Sequence, residues 1–265
     1  MRRSRLLIPR VLVVPGVLAL LLPLGFGGTS SAAPVFGYQI VAAWPHDPTA
    51  YTEGLAFDHG VLYESTGLNG HSTLRTVAVR SGRLLRRVPL AKRYYAEGVT
   101  VWAGRAYQLT LLNRTGFVYD AQTLRRQSTF GYRGEGWGVA HDGKFLVISD
   151  GTNVLRFLDP ATFAVRRKLV VRDGHASVTS LNELEYVDGA ICANVFPTTR
   201  IACIDTASGR VRYWVDLSGL LPPALRPGDE EAVLNGIAYG GHPGRLLVTG
   251  KYWPRLFEIR LVKKS

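Results

Sequence analysis

Residues 51–56 read Tyr51-Thr52-Glu53-Gly54-Leu55-Ala56, and residues 95–100 answer with Tyr95-Ala96-Glu97-Gly98-Val99-Thr100. Three weaker echoes follow: Glu135-Gly136-Trp137-Gly138-Val139-Ala140, Leu181-Asn182-Glu183-Leu184-Glu185-Tyr186 and Val233-Leu234-Asn235-Gly236-Ile237-Ala238. With Glu53, Glu97, Trp137, Glu183 and Asn235 taken as equivalent, the steps are 44, 40, 46 and 52 residues. That period is the size of a four-stranded propeller blade, about 40–50 residues.

Each unit repeats one order. The motif strand leads through a tight turn (His59-Gly60, Ala103-Gly104, Asp142-Gly143, Asp188-Gly189, Pro243-Gly244) into a second apolar strand. Such turns favour two-residue hairpins. A third strand ends in an acidic turn, as in Val118-Tyr119-Asp120, Phe157-Leu158-Asp159 and Cys203-Ile204-Asp205. A basic fourth strand follows, at 84–88, 165–169 and 211–215, read as an exposed outer face.

The last unit has no fourth strand of its own; its third, 256–261, runs to the chain end. The stretch Gly37–Ala43 is free to supply it. The expected fold is therefore an all-β, five-bladed propeller whose ring is closed by the N-terminal strand pairing into the last blade. Closure removes the sheet edges that an open array would expose. An open β-sandwich is the runner-up and leaves the repeats unexplained.

The composition agrees: of 265 residues 20% are charged and 46% hydrophobic, with 29 Gly and 14 Pro, so a packed, turn-rich domain is expected and disorder is excluded. Residues 1–33 stand apart. Arg2, Arg3, Arg5 and Arg10 precede an apolar run to about Leu24, and small residues follow to Ala33. This is an export-signal pattern, with cleavage after Ala32 or Ala33. Residues 34–265 are then the propeller domain, and the protein is expected to be secreted or periplasmic. Losing four Arg lowers the net charge from +12 to +8, and the remaining Arg are scattered without interleaved stacking aromatics, which argues against nucleic acid. Two cysteines, Cys192 and Cys203, flank a turn near Pro197. A cross-strand disulfide and two buried thiols are both open readings.

In a propeller the first strand of each blade lines the central channel. Glu53, Glu97, Trp137, Glu183 and Asn235 would ring its mouth, with Tyr51, Tyr95 and Asn182 beside them. Such an acidic and aromatic ring suits an amine. The structural alternative is that some of these carboxylates only satisfy backbone N–H groups. The exits of the second strands would add Leu111, Phe196 and Lys251. The six His have no compact ligand spacing, which argues against a catalytic zinc site. No phosphate loop or Ser elbow is present.

These same residues carry a family resemblance. Tyr-Thr-Glu-Gly-Leu at 51–55, Leu-Tyr-Glu-Ser-Thr-Gly at 62–67, Ala-Glu-Gly-Val-Thr at 96–100, Gln-Leu-Thr at 108–110, Gly-Glu-Gly-Trp-Gly at 134–138, Ser-Asp-Gly-Thr at 149–152, Leu-Asn-Glu-Leu-Glu-Tyr at 181–186, Leu-Asn-Gly-Ile-Ala-Tyr at 234–239 and Val-Thr-Gly-Lys-Tyr-Trp-Pro at 248–254 resemble the plant/bacterial-type glutaminyl-peptide cyclotransferases. The resemblance runs from about Tyr38 to Leu261. It implies a five-bladed propeller that converts N-terminal Gln to pyroglutamate and releases ammonia, without the zinc of the animal-type enzymes. It implies Glu97 as the acid/base carboxylate and Trp137, Asn182 and Lys251 as active-site positions; because the developing oxyanion needs donors, Lys251 and Asn182 are the candidates for that role. Glu53, Trp137, Tyr51, Tyr95 and Phe196 then hold the substrate. Glu53 stands where relatives often have Gln, and Phe196 and Leu111 where Trp is common. Expected partners are peptides or proteins with N-terminal Gln, met by a monomer with no cofactor. A structural divalent cation in the channel is left open. The competing reading is a non-catalytic exported propeller that binds peptide N-termini or a partner protein.

Overall fold

The computed structural model describes residues 32–264; the export-signal reading falls outside them except at Ala32 and Ala33. Among the described residues the one helical element is a 3-10 turn at Pro223–Leu225, and no helix is long and apolar enough to cross a membrane.

β1 (Val35–Pro45) opens the order. β2 (Thr52–Asp58), β3 (Val61–Thr66), β4 (Thr73–Ala78) and β5 (Arg83–Pro89) form an antiparallel meander. β6 (Ala96–Trp102), β7 (Arg105–Thr110), β8 (Thr115–Asp120) and β9 (Arg126–Gly131) form a second. β10 (Val139–His141), β11 (Leu146–Ile148), β12 (Val154–Leu158) and β13 (Val165–Val170) form a third. A small ribbon follows, β14 (Arg172–Asp173) with β15 (Ala176–Ser177). β16 (Leu181–Val187), β17 (Ala190–Val195), β18 (Arg200–Asp205) and β19 (Val211–Asp216) make one half of an eight-stranded sheet. β20 (Leu234–Ala238), β21 (Arg245–Gly250), β22 (Arg255–Lys263) and β1 make the other half.

The hairpin turns form as their residues dictate. His59-Gly60, Ala103-Gly104 and Asp188-Gly189 have both residues at positive φ, the type I′ geometry that matches strand twist. Cys192 and Cys203 face each other across β17 and β18 and are joined in a disulfide.

β1 supplies the missing fourth strand, as expected: it pairs antiparallel with β22 from Phe36–Lys263 to Pro45–Arg255. It also runs parallel to β19 at Val35–Trp214 and Phe36–Val215, a pairing with no trace in the repeat. That second seam fuses two meanders. It also buries Trp214 and Val215, whereas most of β5 and β13 stays in solvent.

The five leading strands form a closed circuit: β2 lies against β6, β6 against β10, β10 against β16, β16 against β20, and β20 against β2. Glycine permits the close approach. A Cβ on Gly54 would stand 2.7 Å from the Gly98 Cα, one on Gly98 2.8 Å from the Gly138 Cα, and one on Gly138 2.8 Å from the Glu183 Cα. Further out, apolar faces of neighbouring sheets interlock, as Tyr63 and Leu74 do with Val99, Phe117 and Tyr119.

The register corrects one equivalence drawn above. Four of the five leading strands, all but β10, carry an irregularity near their start, between Thr52 and Gly54, Ala96 and Val99, Leu181 and Leu184, and Leu234 and Ile237. Aligned on these, the counterpart of Glu53, Glu97 and Asn235 is Asn182. Glu183 falls at the position of Gly54, Gly98 and Gly236. Its carboxylate crosses to the neighbouring strands and accepts the backbone N–H groups of Leu55 (3.3 Å) and Ile237 (2.8 Å). Of the ring carboxylates, Glu183 is the one that satisfies backbone.

Candidate active site

The leading strands place one side chain each at the same end of the circuit: Glu53 on β2, Glu97 on β6, Trp137 just before β10, and Asn182 on β16. The second strands end on the same side. The residue after each is fixed by one backbone bond to the segment entering the leading strand: Leu111 N–H to Tyr95 O at 2.9 Å, Phe196 to Ser180 at 2.9 Å, and Lys251 to Val233 at 2.9 Å. The two rows meet. Glu53, Tyr95, Glu97, Leu111, Trp137, Asn182, Phe196 and Lys251 line a single cavity of about 150 Å³. At roughly 30 Å³ per water this is room for one small side chain.

Larger clefts exist, of about 940 Å³ around Trp102 and His141 and about 480 Å³ around Trp44 and Arg245. Neither holds a buried amine beside buried carboxylates. The small cavity does.

Lys251 Nζ donates to Glu53 Oε1 at 3.0 Å, both side chains being almost fully buried. The Tyr95 hydroxyl donates to the same oxygen at 2.9 Å, and Asn235 Nδ2 donates to Oε2 at 3.1 Å. Lys251 Nζ also lies 4.3 Å from the Tyr51 ring centroid and 5.5 Å from that of Phe196. Glu53 is thus fully partnered. Glu97 is buried as well and faces the cavity, yet among the described residues none hydrogen-bonds its carboxyl. Burial, then the charge of Glu53 and, more weakly, that of Glu135, push the Glu97 carboxyl well above the usual carboxylate range; Lys251 opposes them. Burial also raises Glu53, but Lys251 and the Tyr95 hydroxyl pull it back. Of the two, Glu97 takes a proton first. Tyr51 and Tyr95 are both raised by burial and by neighbouring carboxylates, so they stay phenols.

Trp137 forms one wall. Its Nε1 donates to Glu135 Oε2 at 2.8 Å, and its ring meets that of Phe196 edge to face at 6.2 Å. Gly151, at φ +76°, lies flat under it; a Cβ there would stand 2.7 Å from the ring. Among the described residues none hydrogen-bonds the Asn182 side chain, and its Oδ1 is buried. An idle buried amide in a cavity wall is a group awaiting a ligand.

Of the residues picked from the sequence, Glu183 and Asn235 lie outside the cavity lining, and so does Tyr51, which stands one step back. Its hydroxyl donates to Glu231 at 2.7 Å while its ring faces Lys251. Glu231 and the Asn235 contact with Glu53 escaped the sequence reading. Asn235 was legible as a ring member, Glu231 not, since it sits in an irregular loop. Among the described residues no group of three or more His, Cys, Asp or Glu is placed to hold a metal ion.

The model of the family described as glutamine cyclotransferase matches residues 18–261. The chain belongs to the glutamine cyclotransferase family. It is 38% identical to a glutaminyl-peptide cyclotransferase of Arabidopsis thaliana over 273 aligned positions, covering 100% of this chain and 85% of that one. It superposes on the crystal structure of Myxococcus xanthus glutaminyl cyclase with a TM-score of 0.82 at 35% identity, covering 88% of this chain and 100% of the other. Of the glutamine cyclotransferase motifs quoted from the sequence, those at 51–55, 96–100, 134–138, 181–186 and 248–254 give the cavity Glu53, Glu97, Trp137, Asn182 and Lys251.

Proposed function

We propose that the protein is a glutaminyl-peptide cyclotransferase: it closes the N-terminal glutamine of peptides and proteins to pyroglutamate and releases ammonia. The observation that carries this is the buried, unpartnered carboxyl of Glu97 facing a one-residue cavity beside the Glu53–Lys251 pair, in a chain of this family.

The reaction forms a bond between the α-nitrogen and the side-chain amide carbon, and breaks the bond from that carbon to its NH2. One proton leaves the attacking amine and one must reach the departing nitrogen. Glu97, its proton affinity raised by burial and by the charge of Glu53, accepts the first and delivers it to the second. The oxyanion needs donors already in place. Lys251 has N–H groups left after binding Glu53, and the free Asn182 amide supplies another. Tyr95, Trp137 and Phe196 confine the glutamine in a bend that brings its nitrogen onto its own amide carbon; Tyr51 backs Lys251. No step calls for a cofactor.

The architecture we propose is a five-bladed β-propeller with β1 completing the last blade. It is supported by the closed circuit of five leading strands and by the repeat in the sequence. We further propose that residues 1–33 are an export signal and that the domain 34–265 works as a secreted or periplasmic monomer. The disulfide fits an oxidising compartment. The deciding experiment is incubation with a Gln-initiated peptide: ammonia release and a loss of about 17 Da, the mass of NH3, support the reading, and an unchanged peptide defeats it.

A further inference from the structure

A second buried charge cluster lies behind the site. His46 sits on the segment between β1 and β2, with both ring nitrogens engaged. Nδ1 faces the Trp253 carbonyl oxygen at 2.6 Å, and Nε2 faces Glu64 Oε1 at 3.0 Å. A carbonyl oxygen can only accept. Glu64 can only accept too: burial would raise it, but the charges of His46 and Arg75 and the hydroxyl of Thr52 hold it down at about 2. Both ring nitrogens therefore carry protons, and His46 is an imidazolium. The charged groups around it are Glu64 on β3, Arg75 on β4 and Asp47 on its own segment; Arg75 binds Glu64 at 2.8 Å and Asp47 at 2.7 Å. From the β21–β22 side it meets backbone carbonyls.

The two anchors of this ring are the two halves of the site. Trp253 closes the turn Gly250-Lys251-Tyr252-Trp253, in which Trp253 N–H returns to Gly250 O at 3.2 Å and Tyr252 has φ +61°. The His46 backbone N–H adds a bond to Pro254 O at 3.1 Å. On the other side Glu64 Oε1 receives the Thr52 hydroxyl at 2.6 Å, and Thr52 precedes Glu53. We propose that His46 is a positioning residue for the cyclisation: as a doubly protonated ring it ties the Lys251 turn to the start of β2, and so fixes Lys251 Nζ against Glu53.

The inference rests on the assignment of Lys251 and Glu53 to the site, so wild-type cyclisation of a Gln-initiated peptide is measured first; its absence overturns that assignment. Histidine-selective 15N NMR of the whole protein then reads the ring directly. Two N–H protons on His46 at neutral pH are expected, and a single one overturns the proposal. In His46→Ala that retains cooperative unfolding, kcat is expected to fall about 10-fold or more while KM stays within about 3-fold. Added imidazole, which can refill the space, should restore kcat. A folded variant with wild-type kcat, or one whose loss imidazole does not reverse, overturns the proposal. Should that variant not fold, wild type decides: under saturating peptide, kcat must decline across the alkaline titration of the His46 ring followed by NMR. A flat kcat through that titration overturns it equally.

Discussion

Lys251 and Glu53 meet at 3.0 Å although 198 residues separate them. The pair bridges the first and last sheets of the circuit, so the substrate cavity and the closure of the fold share one contact. Both groups are buried, and removing the cation alone strands a carboxylate. Lys251→Met should cost about 3–5 kcal/mol of unfolding free energy. Adding Glu53→Gln should recover part of it, because the amide needs no counter-ion. Urea unfolding of the two single variants and the double variant measures the coupling, and strict additivity would refute it.

Glu97→Gln should fold and lose cyclisation by about 10²–10⁴-fold, the range for a positioned acid/base group. Stability should move the other way. A carboxyl raised in the folded state binds a proton there that the unfolded chain has released, so the wild type loses stability as pH climbs from the ordinary carboxylate range through the raised value. The glutamine variant has no such loss. Its thermal midpoint should exceed that of wild type at pH 8, with the gap closing near pH 4.

The acid limb of kcat/KM reports the carboxyl that must be ionised. The charge of Glu53 is one of the forces raising Glu97. In Glu53→Gln that force is gone and Lys251 is left uncompensated; both changes favour the Glu97 anion. The acid limb should therefore move to lower pH. A limb that stays put, or rises, would place the titrating group elsewhere.

Leu111 is half-exposed in the cavity wall where an indole could lie. Leu111→Trp adds an aromatic face beside the bound chain end, worth about 0.5–1.5 kcal/mol. KM for a Gln-Phe peptide should fall several-fold with kcat little changed, read from initial rates.

The Cys192–Cys203 disulfide ties β17 to β18 across 11 positions of chain. Closing so short a loop stabilises by about 2–3 kcal/mol. Reduction, or Cys192→Ala with Cys203→Ala, should lower the unfolding free energy by that amount and leave activity at 25 °C largely intact, because neither cysteine lines the cavity.

The ring was legible because it is built from a local, repeated unit: hairpin turns such as Asp188-Gly189 announce themselves, and the missing last strand pointed to Gly37–Ala43. The cavity was legible because its walls occupy the same two positions of that unit, the second residue of the leading strand and the exit of the second. What stayed hidden is not periodic. Glu183 has no carboxylate counterpart in the other units: aligned on the irregularity that Leu181 shares with Thr52, Ala96 and Leu234, it stands where they have glycine, and matching it by residue type to Glu53 and Glu97 moved the fourth unit by one residue. The parallel seam of β1 with β19 has no counterpart in other units. His46, Glu64 and Arg75 come together only through tertiary closure, and none belongs to a motif whose spacing announces the cluster.

β1 is held between β22 and β19, strands from the far end of the chain. A ribosome delivers a chain from its N-terminal side, so β1 has no berth until β19 and β22 have followed it. The newborn chain must therefore keep an apolar, edge-seeking segment unemployed through most of its synthesis, and the final latch, Lys251 on Glu53 included, snaps shut only once the tail arrives. Deleting β1 or β22 should unlatch the enzyme as a whole and not merely trim it.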